Sequence, residues 1–301
     1  MDKGVGTSPS PWRGLAKRLI LLPLIVVGVL QVVSWTSWAE SRVFYHPSRE
    51  RFETPPGATD VTFRSEDGVE LHGWLLLPIR PYRADDGRAP ERFPVVLHCH
   101  GNAGNISSHL DFSSFLVDRG VAVFIFDYRG YGRSEDARGL ARGALLKDSR
   151  AALNALLMRP EIDPARVGVL GVSLGGVFAT ALAVERDEIR AVCTVSAFSS
   201  WRGIAGDHLP VLGPLLLSNA LSPRDSLREM SPRPVLLVHG DRDEIIGIEH
   251  MGVLEKAARA GGSSVAVHTV PGGDHNGVLF TGQGEQDVIA DFFIDALAVR
   301  E

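Results

Sequence analysis

The chain has 301 residues, enough for one large folded domain or for one domain with an inserted segment. Its net charge of −5 comes with no basic run, which argues against nucleic-acid binding. Two cysteines without a C-x-x-C pair exclude a disulfide scaffold and a thiolate zinc site.

The first predicted element is an apolar stretch, residues 19–38, which carries no charged side chain. A helix of this length crosses the roughly 30 Å hydrocarbon core of a bilayer. The basic segment 1–18 before it favours a cytoplasmic N-terminus. The sequence therefore predicts a single-pass membrane anchor that places the rest of the chain on the extracytoplasmic side.

Two other interpretations of residues 19–38 stay open. Ser37-Trp38-Ala39 loosely fits the small-x-small rule for signal-peptide cleavage, which would give a secreted or periplasmic protein. A helix buried within the fold is the third interpretation. In each case residues 39–60 are predicted to be a linker to a folded domain at 61–301.

From residue 61 onward, short apolar segments typical of strands alternate with segments typical of helices. Segments 61–63 and 70–78 predict an antiparallel pair. Further strands are predicted at 94–100, 121–127, 165–172, 189–197, 234–240 and 264–270, and helices at 107–119, 141–158, 174–185, 248–260 and 286–299. This alternation predicts an α/β fold with a mainly parallel sheet and helices on both faces.

The alternation breaks at residues 198–233, which contain helix-type segments and no strand-type segment. We expect this part to be a small helical cap over one end of the sheet. In open α/β sheets, reactive residues lie on loops beyond the carboxyl ends of the strands. The candidate site is therefore sought where strands end.

Ser173 follows one such strand, within the sequence VGVLGVSLGG (167–176). Its glycine neighbours permit a sharp strand-to-helix turn that would expose the hydroxyl at the N-terminus of the next helix. The pattern G-x-S-x-G is weak evidence by itself, and a glycine-rich turn with a capping serine is the alternative. The position after a buried strand favours a nucleophile.

A serine nucleophile needs a base, and the base needs an orienting carboxylate. HGDRDEII places Asp241 and Asp243 directly after a strand, and PGGDHNGV places His275 after the last one. The order Ser, Asp, His is typical of a nucleophile-elbow fold. The remaining candidates fit less well and are expected to be structural or surface residues: His98, His100, His208, His250 and His268.

The oxyanion of a tetrahedral intermediate would need backbone N–H donors. The N–H of Leu174, just after the nucleophile, is the expected first donor. The loop HGNAGN (100–105) is expected to supply the second through Asn102, although a plain glycine turn is the alternative. Asn105-Ile106-Ser107 is a formal glycosylation sequon, but its place beside the site argues against a glycan.

Taken together, HGNAGN, FDYRGYGRSE, GVSLGG, HGDRDEII and GGDHNG resemble the α/β-hydrolase superfamily across residues 60–300. With the apolar N-terminal helix and FYHPSRE (44–50), the chain is similar to small membrane-anchored hydrolases of the serine aminopeptidase S33-like, or hydrolase-4, branch. The resemblance implies Asp243 as the triad acid and Asp241 as a residue that shapes the loop. It also implies a structural role for Asp127 and the RGYG turn.

The strand order of the family places Cys99 and Cys193 on either side of the Ser173 strand. Two strand spacings are about 10 Å, beyond the roughly 7 Å limit for a disulfide. Both thiols are therefore predicted to be free and buried.

These residues predict a serine hydrolase that cleaves an acyl ester or thioester through Ser173, Asp243 and His275. An aminopeptidase or amidase with the same triad is one alternative, and a non-catalytic binding protein with the hydrolase fold is another. The expected partner is a small-molecule acyl substrate, with a lipid as one option. No cofactor, metal or nucleic acid is expected, and the oligomeric state is not indicated.

Overall fold

The computed structural model describes residues 22–29, 44–79, 92–136 and 140–298. The predicted N-terminus 1–18, most of the predicted anchor 19–38 and the first residues of the predicted linker lie outside this part. Residues 22–29 form a short helix (α1). None of the described helices combines the length and the apolar character needed to span a bilayer. The anchor remains a prediction.

Within the described residues, eight strands form one sheet in the order β1-β2-β4-β3-β5-β6-β7-β8. They are Ala58–Arg64 (β1), Glu70–Leu76 (β2), Phe93–Cys99 (β3), Ala122–Asp127 (β4), Ile162–Val172 (β5), Ile189–Val195 (β6), Val235–Gly240 (β7) and Val265–Val270 (β8). β2 pairs antiparallel with β1 and β4, and every other neighbouring pair is parallel. The predicted α/β fold and its antiparallel first pair are confirmed.

Helices cover both faces of the sheet. They are Ile106–His109 (α2), Arg142–Leu157 (α3), Gly175–Glu185 (α4), Trp201–His208 (α5), Gly213–Leu216 (α6), Pro223–Glu229 (α7), Glu249–Ala260 (α8) and Glu285–Ala296 (α9). One apolar core contains Phe178 of α4, and a second contains Phe293 of α9. A Cβ at Gly168 would lie 2.6 Å from the Phe293 ring, so this strand position needs glycine.

The predicted single helix at 107–119 is wrong. The α-helix stops after His109, and two 3₁₀ segments follow, Leu110–Phe112 and Ser114–Arg119. Ser113 separates them with φ −143°, and its buried Oγ lies 2.9 Å from His98 Nδ1 on β3. This tertiary hydrogen bond overrides local helix propensity. The segment ends at Gly120 with φ +82°, the expected left-handed cap.

Residues 198–233 contain α5, α6 and α7 and no strand, as the cap prediction requires. The Ser200 side chain accepts the N–H of Gly203 and begins α5. Pro223 lies at the start of α7, where its fixed φ suits a helix. The cap follows β6, whose carboxyl end is beside that of β5.

The two cysteines are free and buried, which confirms the prediction. Cys99 pairs with Gly171 of β5, and Cys193 pairs with Leu170 on the other side of the same strand. Burial raises the pKa of the Cys99 thiol to about 12, so this group is a weak nucleophile at neutral pH.

Candidate active site

Ser173 occupies a strained turn between β5 and α4. Its φ is +52°, in the left-handed region that non-glycine residues enter at a cost of roughly 1–2 kcal/mol. Its N–H donates to the carbonyl of Val195 on β6, at 2.8 Å. A Cβ at Gly175 would lie 1.9 Å from the carbonyl oxygen of Cys99. The flanking glycine is therefore needed to bring the turn against β3.

Three side chains from three loops form a hydrogen-bonded chain. His275 Nε2 lies 3.1 Å from Ser173 Oγ, and His275 Nδ1 lies 2.7 Å from Asp243 Oδ2. Each of these residues follows the carboxyl end of a strand, β5, β7 or β8. Parallel strands bring those ends to one edge of the sheet, which explains how residues 102 positions apart meet.

Asp243 is completely buried beneath this chain. Burial alone would raise the pKa of the Asp243 carboxyl. Hydrogen bonds from His239, His275 and the backbone N–H of Ile246 outweigh burial and hold the pKa well below its usual range. A carboxylate that stays ionised can orient His275 and stabilise its imidazolium form.

Asp241 has a different contact from Asp243. Its Oδ1 accepts the N–H of Gly272 at 2.7 Å. This bond ties the loop after β7 to the loop after β8, which carries His275. Asp241 thus shapes the loop pair and takes no part in the Ser173 chain of hydrogen bonds.

The two expected oxyanion donors lie beside the serine. Across the described residues, the backbone N–H groups of Asn102 and Leu174 have no hydrogen-bond acceptor. Both residues line the same cavity as Ser173. A Cβ added at Gly101 would lie 3.6 Å from the Ser173 Cβ, so the loop at residues 100–105 passes close to Ser173. Two unpaired N–H groups at this place are suited to a developing oxyanion.

Ser173 and His275 open into a cavity of about 1000 Å³ between the sheet edge and the cap. Its lining is mainly apolar and includes Phe44, Phe198, Trp201, Ile204, Leu217 and Phe280. Its size is at the upper end of the range for small-molecule pockets. The described residues contain no group of three or more His, Cys, Asp or Glu side chains suited to a metal ion.

Comparison with known proteins shows the family of this chain. Residues 90–220 match the family model for serine aminopeptidase, S33. The uncharacterized protein YfhR of Escherichia coli is 32% identical over 283 residues, which cover 90% of this chain and 95% of YfhR. The α/β hydrolase domain-containing protein WAV2 of Arabidopsis thaliana is 32% identical over 240 residues, which cover 74% of this chain and 74% of WAV2. The chain belongs to the α/β-hydrolase superfamily.

Two solved structures are similar to this chain in fold. An esterase of Pyrococcus furiosus has a TM-score of 0.68 at 20% identity, over 85% of this chain and 98% of its own. An acylaminoacyl peptidase of Pyrococcus horikoshii has a TM-score of 0.64 at 20% identity, over 81% of this chain and 42% of its own. At these identities the likeness shows the fold alone.

Asp127 lies near the candidate site without contacting Ser173, Asp243 or His275. Its buried carboxylate accepts the N–H of Ile106 at 3.0 Å and the N–H of Arg133 at 3.2 Å. A Cβ at Gly132 would lie 2.0 Å from Asp127 Oδ2, so the RGYG turn wraps tightly around the carboxylate. Asn105, the asparagine of the glycosylation sequon, is also buried in this region. Its side chain caps the start of α2, which is a structural role.

A second Ser-His-Asp contact lies elsewhere in the hydrolase. His250 Nδ1 lies 2.8 Å from Ser199 Oγ, and His250 Nε2 lies 2.7 Å from Asp207 Oδ2. The N–H of Ser199 also donates to His250 Nδ1, at 3.0 Å. This group joins the end of β6, the cap helix α5 and α8, and all three residues lie outside the cavity lining.

Sequence reasoning missed two residues at the site. His239 lies 3.3 Å from Asp243 Oδ2, and its spacing of four residues within HGDRDEII was the available signal. Phe44 lines the cavity although it belongs to the segment predicted as a linker. A ring in FYHPSRE had no periodic pattern to connect it with the sheet edge.

Proposed function

We propose that this hydrolase cleaves acyl esters or thioesters through an acyl-enzyme formed on Ser173. One observation carries the proposal. The hydrogen-bonded chain from Asp243 through His275 to Ser173 ends at an apolar cavity, beside two unpaired backbone N–H groups. That combination provides a nucleophile, a base, an oxyanion site and room for an acyl group.

In the proposed reaction His275 Nε2 takes the hydroxyl proton as Ser173 Oγ attacks the acyl carbon. The N–H groups of Asn102 and Leu174 bind the oxyanion. His275 returns the proton to the departing alcohol or thiol, which leaves an ester on Ser173. Water then attacks this ester as His275 Nε2 takes a proton from the water, and the carboxylic acid leaves when His275 returns the proton to Ser173 Oγ.

The apolar lining of the cavity supports the proposal that the protein recognises its substrate through an apolar acyl group. Burial of each additional methylene is worth roughly 0.8 kcal/mol, which is about fourfold in kcat/KM. We therefore expect kcat/KM to rise with acyl length from acetate to octanoate by up to this factor per methylene.

An aminopeptidase or amidase with the same triad is the second candidate. Asp111 favours it, because this exposed carboxylate lies in the cavity lining and is suited to pair with a substrate ammonium group.

A substrate panel tests the two candidates together. The full chain is assayed on p-nitrophenyl and thioester substrates of graded acyl length and on aminoacyl amides. The proposal expects turnover of the esters, a rise with acyl length, and little effect of Asp111→Asn. Preferred turnover of aminoacyl amides that is lost in Asp111→Asn would favour the peptidase, and ester turnover undiminished in Ser173→Ala would contradict both.

We also propose that residues 19–38 hold the hydrolase in a membrane, with the catalytic domain on the extracytoplasmic side. The uncharged twenty-residue stretch and the basic residues before it support this. The full chain should remain in the membrane pellet after alkaline carbonate extraction. Release of a chain that lacks residues 1–39 would instead identify a cleaved signal peptide.

A further inference from the structure

We propose that residues 44–48, which we call the N-terminal clamp, hold the oxyanion loop (residues 101–104) in its working conformation. The side chain of Asn102 is the positioning residue that joins the two. The inference rests on the proposed function, because an oxyanion loop has a role only when Ser173 attacks an acyl group.

The Asn102 side chain forms hydrogen bonds with the N-terminal clamp, the oxyanion loop and Tyr131. Its Oδ1 accepts the N–H of His46 at 3.0 Å, the N–H of Ala103 at 2.8 Å and the O–H of Tyr131 at 3.1 Å. Its Nδ2 donates to the carbonyl of Phe44. Three donors on one oxygen leave Oδ1 no free site for a substrate. The side chain therefore acts on the loop, while its backbone N–H stays unpaired beside Ser173.

The N-terminal clamp also binds the loop through its backbone. Pro47 and Gly104 form a parallel bridge, in which the N–H of Ser48 donates to the carbonyl of Gly104 at 2.8 Å. The carbonyl of Ser48 accepts the N–H of Gly132 at 2.9 Å. The N-terminal clamp thus lies between the oxyanion loop and the turn that contains Tyr131.

The loop needs such support because its backbone is strained. Ala103 has φ +65°, and the next residue, Gly104, adopts a similar φ of +64°, which glycine tolerates without cost. The left-handed conformation costs a non-glycine residue roughly 1–2 kcal/mol and persists where its surroundings fix it. The bond from the Ala103 N–H to Asn102 and the bridge at Gly104 fix both residues. Without them, the loop would relax and move the Asn102 N–H away from the oxyanion position.

Phe44 connects the N-terminal clamp to the acyl cavity. Its carbonyl accepts from Asn102, while its ring lines the cavity and meets the Trp201 ring edge-on, with centroids 5.6 Å apart. Trp201 begins the cap helix α5. The two functions are separable, because the backbone of Phe44 serves the oxyanion loop and its ring serves the acyl group.

Steady-state kinetics of the full chain on p-nitrophenyl octanoate and acetate test the inference. A misplaced oxyanion donor costs on the order of 10²-fold, so Asn102→Ala should lower kcat by about 10- to 100-fold and change KM by less than about threefold. Tyr131→Phe should lower kcat by about two- to fivefold, because it removes one of the bonds to Asn102. The double variant should be no slower than Asn102→Ala, since both changes act through one junction.

Phe44→Ala should show the opposite pattern. It should raise KM for octanoate by about tenfold and leave kcat within about threefold, because it removes only a ring that lines the acyl-binding cavity. It should have little effect on the hydrolysis of acetate. Asn154→Ala is the matched control, because Asn154 Oδ1 accepts from Arg186 at 2.7 Å on the exposed surface of α3. It should leave both constants unchanged.

Unchanged kcat in Asn102→Ala, or in Tyr131→Phe should the first variant fail to fold, would overturn the inference. So would additive losses in the double variant, because they would mean that Asn102 and Tyr131 act separately. Failure of the proposed function has a different result. In that case the wild-type chain hydrolyses no ester, or Ser173→Ala hydrolyses it equally well, and the inference fails with it.

Discussion

Two Ser-His-Asp groups in this chain have nearly the same hydrogen-bond lengths. In the first, 3.1 and 2.7 Å separate His275 from Ser173 and from Asp243. In the second, 2.8 and 2.7 Å separate His250 from Ser199 and from Asp207. Distances therefore do not tell a nucleophile from a structural contact.

The surroundings of the two groups differ. Ser173 has a left-handed φ and lines the cavity. Ser199 is 4% exposed and lies outside the cavity lining. The Ser199 N–H already occupies the lone pair of His250 Nδ1 that a general base would need. The carboxylate of Asp243 is fully buried, but that of Asp207 is 55% exposed. Access, a free base and a buried carboxylate distinguish the first group.

The largest expected difference is between the two serines. Ser173→Ala should lower kcat for ester hydrolysis by at least about 10⁴-fold, because the nucleophile is removed. Ser199→Ala should leave kcat within about threefold. Initial rates on a short acyl ester measure both. An equal loss in the two variants would mean that Ser199 takes part in the reaction.

The two carboxylates give the next contrast. Asp243→Asn should lower kcat by about 10⁴-fold, because the amide favours the wrong tautomer of His275. Asp207→Asn should change kcat by less than about threefold. The same ester assay compares them, with circular dichroism to check that each variant is folded. Retained activity in Asp243→Asn would contradict the assignment of the acid.

For stability, in contrast to activity, replacing His250 should have a larger effect than replacing His275. His250→Ala leaves the buried N–H of Ser199 without an acceptor and opens a space between α5 and α8, so it should cost about 2–4 kcal/mol of unfolding free energy. His275→Ala should cost less, because its loop faces the cavity. Urea unfolding measures both. A larger loss of unfolding free energy for His275→Ala than for His250→Ala would contradict the structural role of His250.

The smallest expected effect concerns pH and Asp243. Because its folded-state pKa lies below the unfolded value of about 3.9, the carboxylate stabilises the fold above pH 4, and this contribution is lost as the pH falls through the folded pKa. The difference in unfolding free energy between wild type and Asp243→Asn should shift against wild type as the pH falls from about 4 to 2. A difference that moves towards wild type over this acidic interval would contradict the lowered pKa.

The sequence was sufficient to predict the sheet and the Ser173 chain of contacts. Ser173, Asp243 and His275 each follow an apolar strand, and parallel strands bring such strand ends together whatever lies between them in the sequence. The glycines around Ser173 marked the turn because few other residues fit it. These predictions depended on local patterns and on one topological rule.

Long-range side-chain contacts were not predictable in the same way. The helix break at Ser113 depends on His98, fifteen residues earlier in another element. The use of the Asn102 side chain depends on Phe44 and His46, 58 and 56 residues away, in a segment without periodicity. The contact between Ser199 and His250 is likewise tertiary, and no local pattern distinguishes it from a surface histidine.

Labelling with a fluorophosphonate probe tests whether Ser173 is the nucleophile of this hydrolase. The intact chain is treated with the probe, digested, and mapped by mass spectrometry. We expect one adduct, on Ser173, which is absent in Ser173→Ala and unaffected in Ser199→Ala. An adduct on Ser199, or no adduct on Ser173 in the folded wild-type chain, would contradict this assignment.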